Sequence, residues 1–261
     1  MDRSNIEKIA RTAEDRILLA KVWDKINSGL HRNVPASTCF LSPRELEMTK
    51  FLTGNLPGLC AFGGYAEAER KMLCYLPDYL EEDSLMQEDG PLICLRASFY
   101  REDSPTHRDF LGALMGAGVA REAVGDICVG KGKCDFFVTA EIAPYILQNF
   151  TGAGKTSVHL EKIPLCQVDV PEPEITEIRD TRASMRLDSV ISAGFRVSRS
   201  LASQYITTGR VAIDGLPCEK PDKPLEEGVK ISVRGLGKIK LKSVKGQTKK
   251  GRISVVIDRY V

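Results

Sequence analysis

The chain has 261 residues, 43% of them hydrophobic and 28% charged, with 37 Lys and Arg against 35 Asp and Glu. That length supports two or three compact domains with their own cores, and the composition excludes a disordered or low-complexity chain. The longest uncharged apolar run near the middle, residues 110–120, is far too short to cross a bilayer, and Met1-Asp2-Arg3-Ser4 leads into a charged amphipathic pattern without the apolar core of a secretory signal, so a cytoplasmic protein is expected.

From the start, Ile6, Ile9, Ala13, Ile17, Ala20, Trp23 and Ile26 recur three or four apart, one stripe of a long helix. Ser42-Pro43, with Glu45 in the first turn, fits the start of a second helix that runs to about Thr53 and stops at Gly54, Asn55 and Pro57. Gly63-Gly64 reads as a tight turn between short apolar runs. Residues 78–89 hold six acidic side chains and no basic one before Gly90-Pro91, and a domain boundary is expected there. A mostly helical N-terminal domain therefore covers 1–78.

Residues 91–163 alternate elements in a definite order. A strand-like run, 93–99, is followed by a helix that Ser104-Pro105 caps and that carries Phe110, Leu111, Leu114 and Met115. Strands at 126–129 and 135–139 join across Gly130-Lys131-Gly132-Lys133 as a hairpin, and a helix (141–150) and a last strand (157–163) complete the set. The order is βαββαβ, the ferredoxin or RRM-like arrangement shared by many small RNA-binding domains. The strands lack the paired aromatics on which an RRM stacks bases. Residues 164–181, with Pro171-Glu172-Pro173-Glu174, read as an extended linker.

The net charge of +2 hides an asymmetry: residues 179–261 hold 18 basic and 8 acidic side chains, net +10, and the first 178 are net −8. A basic segment on an acidic body is what a polyanion-binding module needs, because each phosphate neutralised by Lys or Arg releases condensed counterions. Within it, Leu187, Val190 and Ile191 form one apolar helix face ended by Gly194. Ser198 caps a second helix with Leu201, Ala202, Tyr205 and Ile206 inside and Gly209 after its end. Asp214-Gly215 is a type I′ hairpin signal, and Lys220-Pro221 and a β run at 230–234 follow. Arg182, Arg186, Arg196, Arg199 and Arg210 punctuate the unit without disturbing its apolar positions. Guanidinium forks take phosphate oxygens bidentately, and Arg186 and Arg199 at the two helix starts are placed to present them together.

The run from Arg186-Leu187-Asp188 through Ser198-Arg199, Ala202, Ile206, Gly209, Val211 and Gly215 to Lys220-Pro221 resembles the S4 RNA-binding domain over about residues 184–241. Asp214 stands where that family usually has Asn, and Val229 follows Gly228 where Asp is common. Asp makes the same turn, but its charge slightly weakens phosphate attraction nearby. With Phe62-Gly63-Gly64-Tyr65, Ala68-Glu69-Arg70-Lys71 and His107-Arg108-Asp109-Phe110-Leu111-Gly112, nearly the whole chain resembles the bacterial YlmH family. The resemblance implies an α+β architecture: a helical N-terminal unit, an RRM-like middle domain and an S4 module (αL-type) over 182–261. It implies a non-catalytic, cofactor-free factor on the large ribosomal subunit carrying an obstructed peptidyl-tRNA, acting in rescue by C-terminal tailing. The implied partners are 23S rRNA and tRNA, with no DNA and no membrane, and the family's gene neighbourhood is linked to cell division. Arg182, Arg186, Ser198, Arg199, Arg210 and Lys220 are the RNA-contacting candidates, and Gly209, Asp214 and Gly215 shape the turns.

Other signals fail on spacing. The eight cysteines include no Cys-x-x-Cys pair, so neither a zinc knuckle nor a disulfide framework is expected. Gly152-Ala153-Gly154-Lys155-Thr156 resembles the end of a P-loop, but Asn149 stands where the first Gly is required. His107-Arg108-Asp109 resembles a kinase catalytic triplet, but position 114, where Asn is needed, is Leu. Two rival readings are an S4-bearing RNA-modifying enzyme and a protein-interaction scaffold. A pseudouridine synthase would carry its Asp on a larger catalytic domain, and a methyltransferase a Gly-rich loop after a strand.

Overall fold

A computed structural model describes residues 3–87, 89–171, 174–247 and 252–260. The chain divides into two units, Met1–Pro171 and Glu172–Val261.

The first unit opens with α1 (Ile6–Ile9) and α2 (Ala13–Arg32), not one continuous helix. Thr12 accepts from the Asp15 amide, and the Asp15 carboxylate accepts from the Thr12 amide, a capping box that starts α2 afresh. The stripe is correspondingly broken: Leu19, Val22 and Ile26 are buried, whereas Ile17 is 58% exposed. After β1 (Ala36–Ser37), α3 (Pro43–Thr53) begins with the Ser42–Glu45 capping box that its sequence signals. The Arg44 guanidinium grips Asp15 at 2.8 and 2.9 Å and ties α3 to α2. Strands β2 (Leu59–Phe62) and β3 (Met72–Tyr75) then complete an antiparallel sheet in the order β1-β3-β2. The expectation of a mostly helical N-terminal domain missed this sheet.

Next come β4 (Leu92–Ser98), α4 (His107–Gly116), β5 (Val124–Val129), β6 (Lys133–Thr139) and α5 (Ala143–Asn149). A two-residue hairpin, β7 (Gly152–Ala153) with β8 (Thr156–Ser157), precedes β9 (His159–Ile163). The antiparallel sheet runs β5-β6-β4-β9, the split-βαβ order that the element sequence predicts. The cap of α4 is Thr106, two residues beyond the Ser104 expected from sequence. One sheet face carries Ile93, Leu95, Phe136 and Val138 against Phe110, Leu114 and Ile146 of the helices.

The other face is covered as well. Leu92, Cys94, Phe137 and Ile163 pack against Phe40, Met72, Cys74 and Leu76, with the Tyr65 ring stacked on Phe137 at 5.4 Å between centroids. The segments read from sequence as separate domains, 1–78 and 91–163, thus share a core. Residues 165–169 fold back onto the same sheet. Asp135 holds Arg96 at 2.6 and 2.7 Å and accepts the Asp169 amide at 2.9 Å, while Arg96 donates to the Gln167 carbonyl.

In the second unit, β10 (Ile175–Arg182) is followed by α6 (Leu187–Phe195), α7 (Arg199–Thr207), β11 (Val211–Ile213), β12 (Leu216–Pro217), β13 (Lys230–Val233), β14 (Gly237–Gln247) and β15 (Ile253–Tyr260). The sheet order is β10-β15-β14-β13-β11-β12. All eight residues of β10 pair with β15, so the expected linker 164–181 is packed structure at both ends. The core joins Leu187, Val190, Ile191, Ala202 and Ile206 of the helices to Ile231, Ile239, Leu241, Val255 and Ile257 of the sheet. Gly194 lies inside α6 and does not end it: a Cβ there would stand 2.7 Å from Ile239 Cδ1. The helix ends at Arg196, which takes the left-handed conformation with φ 55°.

Candidate nucleic-acid interface

Arg186 precedes α6 as its N-cap, and the chain around it is pinned by backbone bonds. The Leu187 amide donates to the Lys223 carbonyl and the Asp188 amide to the Pro221 carbonyl, both at 3.0 Å, and Arg186 bridges antiparallel to Pro224. Pro221 and Lys223 therefore anchor the start of α6, while Lys220 is exposed. Ser198 accepts from the Leu201 amide at 3.2 Å, which caps α7 and makes Arg199 its first residue.

These two helix starts meet at Asp188. Its Oδ1 and Oδ2 receive Arg186 Nε and Nη2 at 3.3 Å, and Oδ2 also receives Arg199 Nη2 at 2.8 Å. The carboxylate is buried at 6% exposure, whereas the arginine side chains are 43% and 55% exposed. Burial pushes the Asp188 carboxyl upward, but hydrogen bonds from Arg199 and Arg186 outweigh it and hold it below its ordinary value. One anion thus positions two cations, and the cluster keeps a net positive charge with guanidinium edges open to solvent. Two planar forks fixed side by side suit the oxygens of a sugar–phosphate backbone.

The other candidates are distributed differently. Arg182 lies in β10, pairs with Asp180, and is mostly buried with its Nε unpartnered, so the structure gives it a local role and no place in the Arg186–Arg199 cluster. Arg210 stands past the far end of α7 with its guanidinium over the Tyr205 ring, 5.6 Å from the centroid. Gly209 adopts φ 67°, and Asp214 and Gly215 adopt φ 47° and 83°, as a two-residue type I′ hairpin requires. Asp214 Oδ1 also accepts the Lys230 amide at 2.9 Å, joining the hairpin to β13.

Sequence reasoning placed Arg186 and Arg199 together but missed the anion that joins them, although Asp188 sits within the same motif, two residues past Arg186. It also missed the lysines of β14. Ile239 and Leu241 face the core, and Lys238, Lys240 and Lys242 lie on the opposite face, with Lys240 facing Lys230 across the ladder. The alternation in 238–242 signals this directly. Among the described residues no group of three or more His, Cys, Asp or Glu could hold a metal ion, and no helix is long and apolar enough to cross a membrane.

Comparisons with known proteins bear on both units. Residues 103–167 match the family described as "Putative RNA-binding domain in YlmH", and residues 185–231 match the S4 domain. The chain is 34% identical over 224 residues to the ribosome-associated protein quality control protein P2 of Bacillus subtilis, covering 85% of this chain and 86% of that protein. A solved structure, the cell division protein ylmH from Streptococcus pneumoniae, has a similar fold, with a TM-score of 0.50 and 21% identity over 61% of this chain and 98% of that one.

Proposed function

This chain belongs to the YlmH family of S4-domain proteins, and from that premise we propose that it is a non-catalytic RNA-binding factor of the large ribosomal subunit. It engages subunits that carry a peptidyl-tRNA and takes part in rescue of stalled translation by C-terminal tailing of the nascent chain. The observation that carries this reading is the pair of half-exposed arginines, Arg186 and Arg199, fixed by the buried Asp188 on a segment of net charge +10. Such a pair contacts backbone phosphates of 23S rRNA or tRNA and positions the protein without reading sequence. The covered outer face of the RRM-like sheet supports the same division of labour, because bases have no exposed sheet there on which to stack. The quality-control role named for the Bacillus subtilis relative supports the ribosomal setting.

The test is a reporter whose translation stalls without release, expressed in cells lacking this protein. C-terminal tails, read by mass spectrometry of the stalled product, are expected to disappear. Wild type restores them, and the protein carrying both Arg186→Ala and Arg199→Ala does not. Tails that persist without the protein overturn the tailing role.

A further inference from the structure

The basic face of the second unit carries a trough that the Arg186–Arg199 cluster does not use. Register explains why it exists. Pro217, Ala212, Ser232 and Lys238 are successive cross-strand partners over β12, β11, β13 and β14, so they form one row on the sheet face opposite the core. The two middle members are small, and the row is therefore low at its centre and walled by Pro217 and Lys238. At one end the chain turns through Gly235 and Gly237, both with positive φ and without side chains to fill the space. The resulting trough measures about 420 Å³, within the range of small-ligand sites, roughly 300–1,000 Å³.

Its rim is mainly cationic. Arg210, Arg234 and Lys238 border it and none of the described residues that line it is acidic, with Glu219 standing beside the Gly209 end, its Oε1 3.5 Å from where a Cβ of Gly209 would lie. Arg234 donates its amide to the Arg210 carbonyl at 2.9 Å, which fixes the two arginines as neighbours at the strand ends, and Tyr205 supports the Arg210 guanidinium. A floor of Ala212 and Ser232 with cations at the rim matches a nucleotide, whose base is flat and largely apolar on its faces and whose phosphate is anionic. Arg199 opens α7 and Arg210 lies beyond its end, so the two cationic sites are roughly 15 Å apart along the helix axis.

We propose that this trough is a second RNA contact, which takes one nucleotide of a single-stranded segment with the base over Ala212 and Ser232 and the phosphate between Arg210 and Arg234. The inference rests on the RNA-binding reading above and adds to it: the module grips RNA at both ends of α7, with phosphates alone at the Arg186–Arg199 pair and a nucleotide at the trough.

Fluorescence anisotropy with a short labelled oligouridylate, alongside co-sedimentation with large ribosomal subunits, tests it on the full-length protein. Arg210→Ala with Arg234→Ala is expected to weaken oligouridylate binding on the order of tenfold and to lower the slope of log affinity against log salt by about 0.7, one phosphate contact on a single strand. Ser232→Leu, which fills the trough at unchanged charge, is expected to weaken binding severalfold with the salt slope intact. Oligouridylate binding that survives both changes, in a protein that still sediments with subunits, overturns the trough and leaves the ribosomal reading standing. The trough is equally overturned if binding is lost only in the Arg186→Ala, Arg199→Ala protein, or if polyglutamate displaces the oligonucleotide as well as unlabelled RNA does. Wild type that fails to sediment with subunits overturns the reading on which the inference rests.

Discussion

Asp188 and Arg199 stand eleven residues apart in the chain and meet at 2.8 Å, Oδ2 to Nη2, so that one buried carboxylate joins the first turns of α6 and α7. Arg186 reaches the same carboxylate through two nitrogens. The cluster is therefore part of the packing of the module and part of its surface, and the two aspects separate experimentally.

Asp188→Asn keeps the shape and removes the charge. It is expected to lower the stability of the second unit by about 1–2 kcal/mol at neutral pH, a charge-assisted pair discounted for the exposure of the arginines. The folded-state carboxyl is held below its ordinary value of 3.8, so its contribution is complete above that value and is lost as pH falls through the lower, folded one. Urea unfolding of wild type and variant across acid pH checks this: the gap closes below 3.8, and a gap constant with pH contradicts the account.

Gly64→Ala tests the covering of the RRM-like sheet. A Cβ at that position would stand 2.4 Å from Cε1 and 2.5 Å from Cδ1 of Phe137, at a backbone φ of 92°. Overpacking and left-handed strain together are expected to cost about 3 kcal/mol, visible as a lowered unfolding transition of the first unit with the second unchanged.

Gly194→Ala probes the close approach of α6 to its sheet, where the added methyl meets Ile239 at 2.7 and 3.1 Å and Ile257 at 3.3 Å. Alanine gains helix propensity of about 1 kcal/mol, but the clash exceeds it, and a net loss of about 1 kcal/mol is expected from thermal unfolding. A rise in melting temperature would mean that the two isoleucines yield freely.

Asp214→Asn should be nearly silent for stability, within about 0.5 kcal/mol, because Asn tolerates φ 47° and retains an oxygen for the Lys230 amide. Removing the carboxylate is expected to raise RNA affinity by roughly twofold at low salt and by less at high salt, as screening takes over. Filter binding at two ionic strengths distinguishes this from no effect.

The S4 module was legible because Ser198, Gly209 and Asp214-Gly215 are local stop and start signals that need no tertiary information. The βαββαβ order was legible for the same reason. The N-terminal sheet was not, since Leu59–Phe62 and Met72–Tyr75 are four-residue apolar runs with no period to separate strand from helix. Strand β10 was hidden by its own composition: Ile175–Arg182 carries four charges and follows Pro171-Glu172-Pro173-Glu174, and only its partner β15, some seventy residues on, makes it a strand. In the site, arginines at helix starts could be read from the motif. The burial of Asp188 that makes them one cluster is a tertiary fact.

The central claim is that the arginine pair binds RNA on the large ribosomal subunit, and co-sedimentation across a salt series tests it most directly. Purified wild type and the Arg186→Ala, Arg199→Ala protein are compared on subunits with and without peptidyl-tRNA. Wild type is predicted to prefer the tRNA-bearing particle and to weaken steeply with salt, and the double variant to bind at least about tenfold less tightly with a slope shallower by about 2. Equal affinity and equal salt slope in the two proteins would contradict it.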